Sequence, residues 1–280
     1  MEKEIRVENL NSGYEKKTVF EDLTTSIQAG KITTIIGPNG CGKSTLLKTI
    51  GRVMQQKSGK IYLQEQDMQT ISTKEIARKL AILSQNPVAP GGLKVEELIS
   101  YGRYPHRKNV RQLTFKDQEV IEWAMDITHT TEFRKRELDQ LSGGQRQKVW
   151  LAMALAQETK ALLLDEPTTF LDMAHQLEVL HIIRKLNEQH QCTIVMVLHD
   201  INHAARFSDE LIAMKDGEIV KEGRPSSILT KEVLRSVFQI DARIMQDPET
   251  GVPVCYSYEV LTERQGESFE SRKTNYLAHG

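Results

Sequence analysis

The chain has 280 residues, 39% of them hydrophobic, enough to bury one large core or a core with a smaller unit attached. Its formal charge is -1 and its pI near 6.7, so it lacks the positive field that draws proteins onto phosphate backbones, and no nucleic-acid partner is expected. Three cysteines without metal-ligand spacing suit a reducing compartment, the charged start MEKEIRVENL has no apolar signal core, and no apolar run nears the roughly 20 residues of a membrane span.

In chain order, Ile5 and Val7 alternate in strand fashion up to an expected turn at Asn11-Ser12-Gly13. Leu23, Thr25 and Ile27 line one face of a second strand, predicted to pair with the first antiparallel. Lys31 to Ile36 is a β-branched run leading into a glycine-rich loop, after which Ser44 to Ile50 has helical character. From about Pro87 to Thr159 the periodicity becomes helical, over Val95 to Tyr101, Phe115 to Ile127 and Gly144 to Gln157, which predicts a helical insertion. Buried strands return at Ala161 to Leu164 and Thr193 to Leu198 on either side of a helix from about His175 to Gln189, the alternation of a parallel α/β sheet. A hairpin turning at Asp216-Gly217 follows. Beyond Pro225 one amphipathic helix to about Ile240, a second hairpin around Asp247 to Gly251, and a polar, disordered tail from about Thr262 are expected.

The chemistry is concentrated in a few short stretches. Gly37-Pro38-Asn39-Gly40-Cys41-Gly42-Lys43-Ser44-Thr45 fits G-x-x-x-x-G-K-[ST] between a strand and a helix, where backbone N–H groups and the helix N-terminus converge on phosphate. Lys43 is placed to reach β and γ phosphates and Ser44 to hold Mg²⁺. At the end of an apolar strand, Asp165 can face the same ion, and Glu166 beside it can orient or deprotonate a water attacking the γ phosphate. A GTPase switch or a small-molecule kinase has no need of that second carboxylate. Leu141-Ser142-Gly143-Gly144-Gln145 repeats the physics of the first loop, a capped helix start whose amides can face an anion. The two starts can serve one nucleotide from opposite sides if two copies meet head to tail. Cys41, next to Lys43 and a helix N-terminus, is either a thiol of lowered pKa that reacts with alkylating agents or a position at which any residue is tolerated. Arg103, His106, Arg107, Lys108 and Arg111 form a basic cluster expected on the surface of the insertion, either simply solvated or facing a membrane partner.

Together GPNGCGKST, LSGGQ, LLLDEPTTFLD and the histidine of VLHD resemble the nucleotide-binding subunit of an ABC transporter over about residues 5 to 240. The resemblance implies a P-loop NTPase core with an N-terminal antiparallel β subdomain and an inserted α-helical subdomain. Residues 1–240 would form the ATPase domain, with the insertion at about 87–159 and a C-terminal extension over 241–280. It also implies a homodimer with two ATP molecules between the phosphate loop of one copy and LSGGQ of the other. Carried over by motif, Tyr14 would stack on adenine, Gln85 would sit between the γ phosphate, Mg²⁺ and the membrane partner, Asp172 would link the two sites, and His199 would hold the attacking water with Glu166.

Asp165 to Gln176 and Tyr101-Gly102-Arg103-Tyr104-Pro105-His106 are similar to the ATPases of bacterial iron(III)-siderophore importers, whose relatives serve haem and cobalamin. That similarity implies a place on the cytoplasmic face of the bacterial membrane, beneath two permeases fed by an extracytoplasmic binding protein. A metal-ion, haem or cobalamin importer, an exporter, a non-transport ABC ATPase and a non-hydrolysing ATP sensor are the competing readings. Glu166 and His199 together speak against the last.

Overall fold

The computed structural model describes residues 2–14, 17–107 and 112–261. An antiparallel pair, β1 (Lys3–Tyr14) and β2 (Lys17–Gln28), opens the fold. The fully buried β3 (Ile32–Ile36) runs into the glycine loop and α1 (Lys43–Ile50). Next, β4 (Ser58–Leu63) pairs with β1, and the short β5 (Gln66–Asp67) with β4. α2 (Thr73–Lys79), capped by Ser72, leads into β6 (Leu80–Leu83). The helices α3 (Val95–Tyr101), α4 (Phe115–Ile127) and α5 (Gly143–Ala156) follow.

The chain then returns to the centre with β7 (Ala161–Asp165), α6 (Met173–His190), β8 (Thr193–Val197) and α7 (Ile201–Phe207). β9 (Glu210–Lys215) and β10 (Glu218–Gly223) form the hairpin around Asp216-Gly217. Last come α8 (Pro225–Ile228), α9 (Lys231–Phe238) and the hairpin of β11 (Ile240–Gln246) and β12 (Pro253–Val260).

Among the described residues the central sheet has six strands in the order β10-β9-β3-β8-β7-β6, parallel except for the edge strand β10, and a second sheet runs β2-β1-β4-β5. Every residue of β3, β7 and β8 is buried, as a parallel sheet covered on both faces requires. Alternation along these strands divides the core. Leu162, Leu164, Ile194 and Met196 join the helices α3 to α6 on one face; Leu163, Val195 and Val197 join α1 and the β1–β2 pair on the other.

Three sequence expectations are corrected. Asn11-Ser12-Gly13 is not a turn: it lies within β1, Ser12 opposite Phe20 and Gly13 opposite Thr18. Glycine is needed there because the returning strand comes close; a Cβ at position 13 would sit 2.1 Å from the Lys17 carbonyl oxygen. The single helix expected after Pro225 is two, because Thr230 breaks it and caps the second, its Oγ1 accepting from Val233 N at 3.3 Å.

Of the described members of the basic cluster, Arg103 is buried while His106 and Arg107 are half-buried. Arg103 is 2% exposed; its Nε donates to Asp117 Oδ1 at 2.9 Å and its Nη1 to the Ala156 carbonyl at 2.8 Å and Glu158 Oε2 at 3.2 Å. Asp117 and the Ala156 carbonyl lie at the junction of α3, α4 and α5 while Glu158 is more exposed, and a guanidinium has enough fixed donors to satisfy all three. His106 Nε2 lies 2.8 Å from the Gln157 carbonyl, and Arg107 donates to the Ser100 carbonyl. Lys108, Arg111 and the expected tail from Thr262 lie outside the described residues.

Candidate active site

The glycine loop bends because Gly37, Gly40 and Gly42 have φ of +154°, +80° and +108°. At Gly37 there is also no room for a side chain, since a Cβ would lie 2.2 Å from the Met214 carbonyl oxygen. The loop wraps the buried Lys43, whose Nζ donates to the carbonyls of Gly37 and Pro38 at 2.8 and 2.9 Å. Ser44, at the start of α1, donates from Oγ to Asp165 Oδ1 at 2.7 Å, joining the loop to the end of β7. The other carboxylate oxygen of Asp165 is buried and accepts no hydrogen bond; Lys48 Nζ lies 3.7 Å from it.

One residue on, Glu166 adopts a left-handed backbone with φ +54°, a conformation that costs a non-glycine residue about 1–3 kcal/mol unless its surroundings hold it. Its side chain is held on three sides. His199 Nε2 lies 2.8 Å from Oε1, while Oε2 accepts from Thr169 Oγ1 at 2.9 Å and from Gln85 Nε2. The expected trio Glu166, His199 and Gln85 is therefore assembled from the ends of β7, β8 and β6.

A cleft of about 470 Å³ opens over the loop, lined by Tyr14, Lys17, Thr18, Val19, Asn39, Gly40, Gly42, Lys43, Ser44, Thr45, Glu166, Asp216 and Gly217. Tyr14 is exposed at its rim. Gly37, Pro38 and Cys41 form the turn beneath; Cys41 N donates to the Pro38 carbonyl at 3.4 Å. Ser142, Gly143, Gly144 and Gln145 do not line the cleft. They build a reciprocal cap, Gln145 N donating to Ser142 Oγ at 3.2 Å and Ser142 N to Gln145 Oε1 at 3.1 Å. Asp172 caps α6 in one direction only, its side chain accepting from His175 N.

The expectation for Cys41 is corrected. The side chain is buried, 3% exposed, and burial pushes its thiol above the ordinary 9.0, more than the neighbouring Lys43 ammonium and the loop amides pull it down. A residue in a phosphate loop is electropositive in its surroundings, but here the side chain turns into the core.

The ABC transporter family matches residues 20–169, more than half of the chain. The chain belongs to the ABC transporter family. The iron(3+)-hydroxamate import ATP-binding protein FhuC of Bacillus subtilis is 52% identical over 92% of this chain and 96% of its own length. The ferric enterobactin transport ATP-binding protein FepC of Escherichia coli is 44% identical over 89% and 92%. Among solved structures, a chain from an inward-facing transporter described as of the metal-chelate type superposes with TM-score 0.79 at 30% identity, covering 94% of this chain and 98% of that one. A dimeric bacterial ABC transporter cassette gives TM-score 0.70 at 27% identity over 79% and 98%.

Residues that sequence reading missed also shape the site of this ABC ATPase. Thr169 braces Glu166, a role its position three residues on in the same loop could have suggested. Lys17, Thr18 and Val19, and Asp216-Gly217 from the distant hairpin, line the cleft with no sequence signal beyond turn chemistry. Gly217 N donates to the Cys41 carbonyl at 3.1 Å, so the hairpin turn supports the phosphate loop from behind. Among the described residues no helix is long and apolar enough to cross a membrane.

Proposed function

We propose that this ABC ATPase energises the import of an iron(III)-siderophore complex, acting as a head-to-tail homodimer at the cytoplasmic face of the membrane beneath two permease subunits that an extracytoplasmic binding protein supplies. Support for the cargo comes from relatives named for hydroxamate, petrobactin and enterobactin import, which align over about nine-tenths of the chain. Support for the dimer comes from the cleft, which has no wall from the Ser142 turn, and from the dimeric cassette of the same fold. In this reading residues 1–240 are the ATPase unit, the helices within 87–159 its insertion, and 241–280 an extension.

The observation that carries the reading is the assembly around Glu166. ATP binds with its phosphates over the loop, residues Gly37 to Thr45 donating their amides and Lys43 its ammonium, while Tyr14 meets the base. Asp165 and Ser44, with the side-chain carbonyl of Gln85, make an all-oxygen donor set, and the buried Asp165 oxygen that accepts no hydrogen bond, with only Lys48 at 3.7 Å, is the atom such a set leaves for a cation, which fits Mg²⁺. Bound there, Mg²⁺ would neutralise charge on the β and γ phosphates. Glu166 orients the attacking water and takes its proton; His199 and Gln85 hold that carboxylate in line. The Ser142 helix start of the partner subunit closes the pocket over the γ phosphate, with Asp172 linking the two sites.

Glu166→Gln keeps the shape of the side chain and removes the base. Phosphate release should fall by about 100-fold while ATP binding persists and an ATP-bound dimer accumulates; turnover near that of the parent chain rejects the assignment. For the cargo, cells lacking this subunit should lose uptake of iron-55 presented as a ferric siderophore and regain it with the gene restored. Unchanged uptake of both hydroxamate and catecholate complexes would reject siderophore import while leaving the ATPase intact.

A further inference from the structure

His175 stands at the meeting of two helix starts. Its backbone N donates to Asp172 Oδ1 at 2.9 Å, and its ring Nδ1 lies 2.8 Å from the same oxygen. An ionised carboxylate can only accept, so Nδ1 carries a proton in this contact. The ring also packs against Gly144. A Cβ on that glycine would sit 2.7 Å from His175 Cδ2 and 2.9 Å from Cγ, so the first turn of α5 touches α6 through a histidine ring resting on bare backbone. One turn further along both helices, Lys148 Nζ donates to Glu178 Oε1 at 2.8 Å. The Ser142 cap and the Asp172 cap therefore lie side by side on one edge of the molecule, although 30 residues of sequence and a buried strand separate them.

We propose that His175 is a positioning residue that fixes the start of α5 to the start of α6, so that the Ser142 turn and Asp172 reach the partner subunit as one rigid edge. This rests on the composite-site reading above. The helix amides that close over the γ phosphate belong to the insertion, whereas Asp172 belongs to the core. A partner can engage both at once only if their spacing is set before the copies meet; otherwise binding must fix it and affinity falls. The imidazole meets both demands together. Its proton on Nδ1 orients the Asp172 carboxylate, and its ring packs against the α5 start at Gly144, where no side chain intervenes.

The test uses the full chain in the Glu166→Gln background, which is expected to form an ATP-bound dimer. His175→Phe keeps a ring over Gly144 and removes the donor to Asp172; His175→Asn keeps a donor near the Nδ1 position and removes the ring. In either variant half-dimerisation with ATP, measured by analytical ultracentrifugation, should need about tenfold more protein. Binding of a fluorescent ATP analogue to the monomer, and Tm, should stay at the values of the Glu166→Gln chain. In the active Glu166 background the same substitutions should lower kcat with KM for ATP unchanged. Dimerisation at unchanged concentration in both variants overturns the inference, and so does weakening that follows a loss of Tm or of monomer ATP binding. If the Glu166→Gln chain itself stays monomeric with ATP, the composite-site reading fails and this inference with it.

Discussion

Replacing Arg103 with methionine keeps the stem and removes the guanidinium that joins α3, α4 and α5. Arg103 and Asp117 are 2% and 5% exposed in their side chains and lie 2.9 Å apart, so water cannot take over the lost bonds. Removing one partner of a buried ion pair costs about 3–5 kcal/mol. At about 2–4 °C per kcal/mol for a domain of this size, Tm should fall by roughly 6–20 °C. The pair also carries an acid signature. Burial pushes the Asp117 carboxyl up, but hydrogen bonds from Thr114 and Arg103 and the guanidinium charge outweigh it, lowering the pKa from 3.8 to about 2. A lowered folded value means stabilisation that is complete above the unfolded pKa and is lost as pH falls from about 4 to 2. The size of the lowering corresponds to about 2 kcal/mol. Urea unfolding followed by circular dichroism at pH 7, and again between pH 5 and 2.5, measures both effects. Arg103→Met should remove its share of the acid-sensitive part and leave the share that the Thr114 hydrogen bonds supply, and the double variant Arg103→Met/Asp117→Leu should cost less than the sum of its single changes. A single Arg103→Met variant within 1 kcal/mol of the parent chain, with the same acid limb, would falsify the view of Arg103 as the tie between these helices.

Lys43→Ala should weaken ATP binding itself, measured as loss of fluorescent-nucleotide binding to the monomer, in contrast to Glu166→Gln, which keeps binding and loses turnover. Because burial raises the Cys41 thiol above its ordinary value, less thiolate is present at pH 7 than in a free cysteine, and labelling should quicken only at alkaline pH. Maleimide should therefore react with the folded chain more slowly than with the urea-unfolded chain, and rapid labelling of Cys41 at pH 7 would contradict its burial. Asn202 clamps the C-terminal hairpin to α7, its Nδ2 donating to the Cys255 carbonyl at 3.0 Å and its Oδ1 accepting from Cys255 N at 2.8 Å. Asn202→Ala should cost about 1–3 kcal/mol locally, seen as faster hydrogen exchange at the Cys255 amide; unchanged exchange there would show that the hairpin docks by its apolar contacts alone.

Much of the site was legible because its signals are local. A phosphate loop needs glycines at fixed spacing before a helix, and the residues of Gly37 to Thr45 state that requirement within nine positions of sequence. Asp165 and Glu166 follow an apolar run whose length fits a buried strand, and Ser142 with Gln145 spells a helix cap. The strands at Ala161 and Thr193 and the helices at Val95 and Phe115 were equally plain, since burial on one or both faces imposes the periodicity that was read. At Asn11-Ser12-Gly13 the same approach failed, because residues that favour turns also serve where strands crowd together, and composition cannot separate the two.

The sequence by itself determined the chemistry on offer: an anion cradle, a carboxylate pair at a strand end, and a second capped helix start. Tertiary structure alone decided which of these groups meet and which are shielded from water. Gln85 reaches Glu166 across 81 residues because β6 and β7 are neighbours in the sheet. Cys41 and Arg103 look reactive or solvated from their neighbours in sequence, yet both are buried, one against the core beneath the loop and the other among three helices. Spacing along the chain fixes hydrogen bonds within a turn or two, whereas burial depends on what distant segments pack above a residue, and only the folded chain supplies those segments.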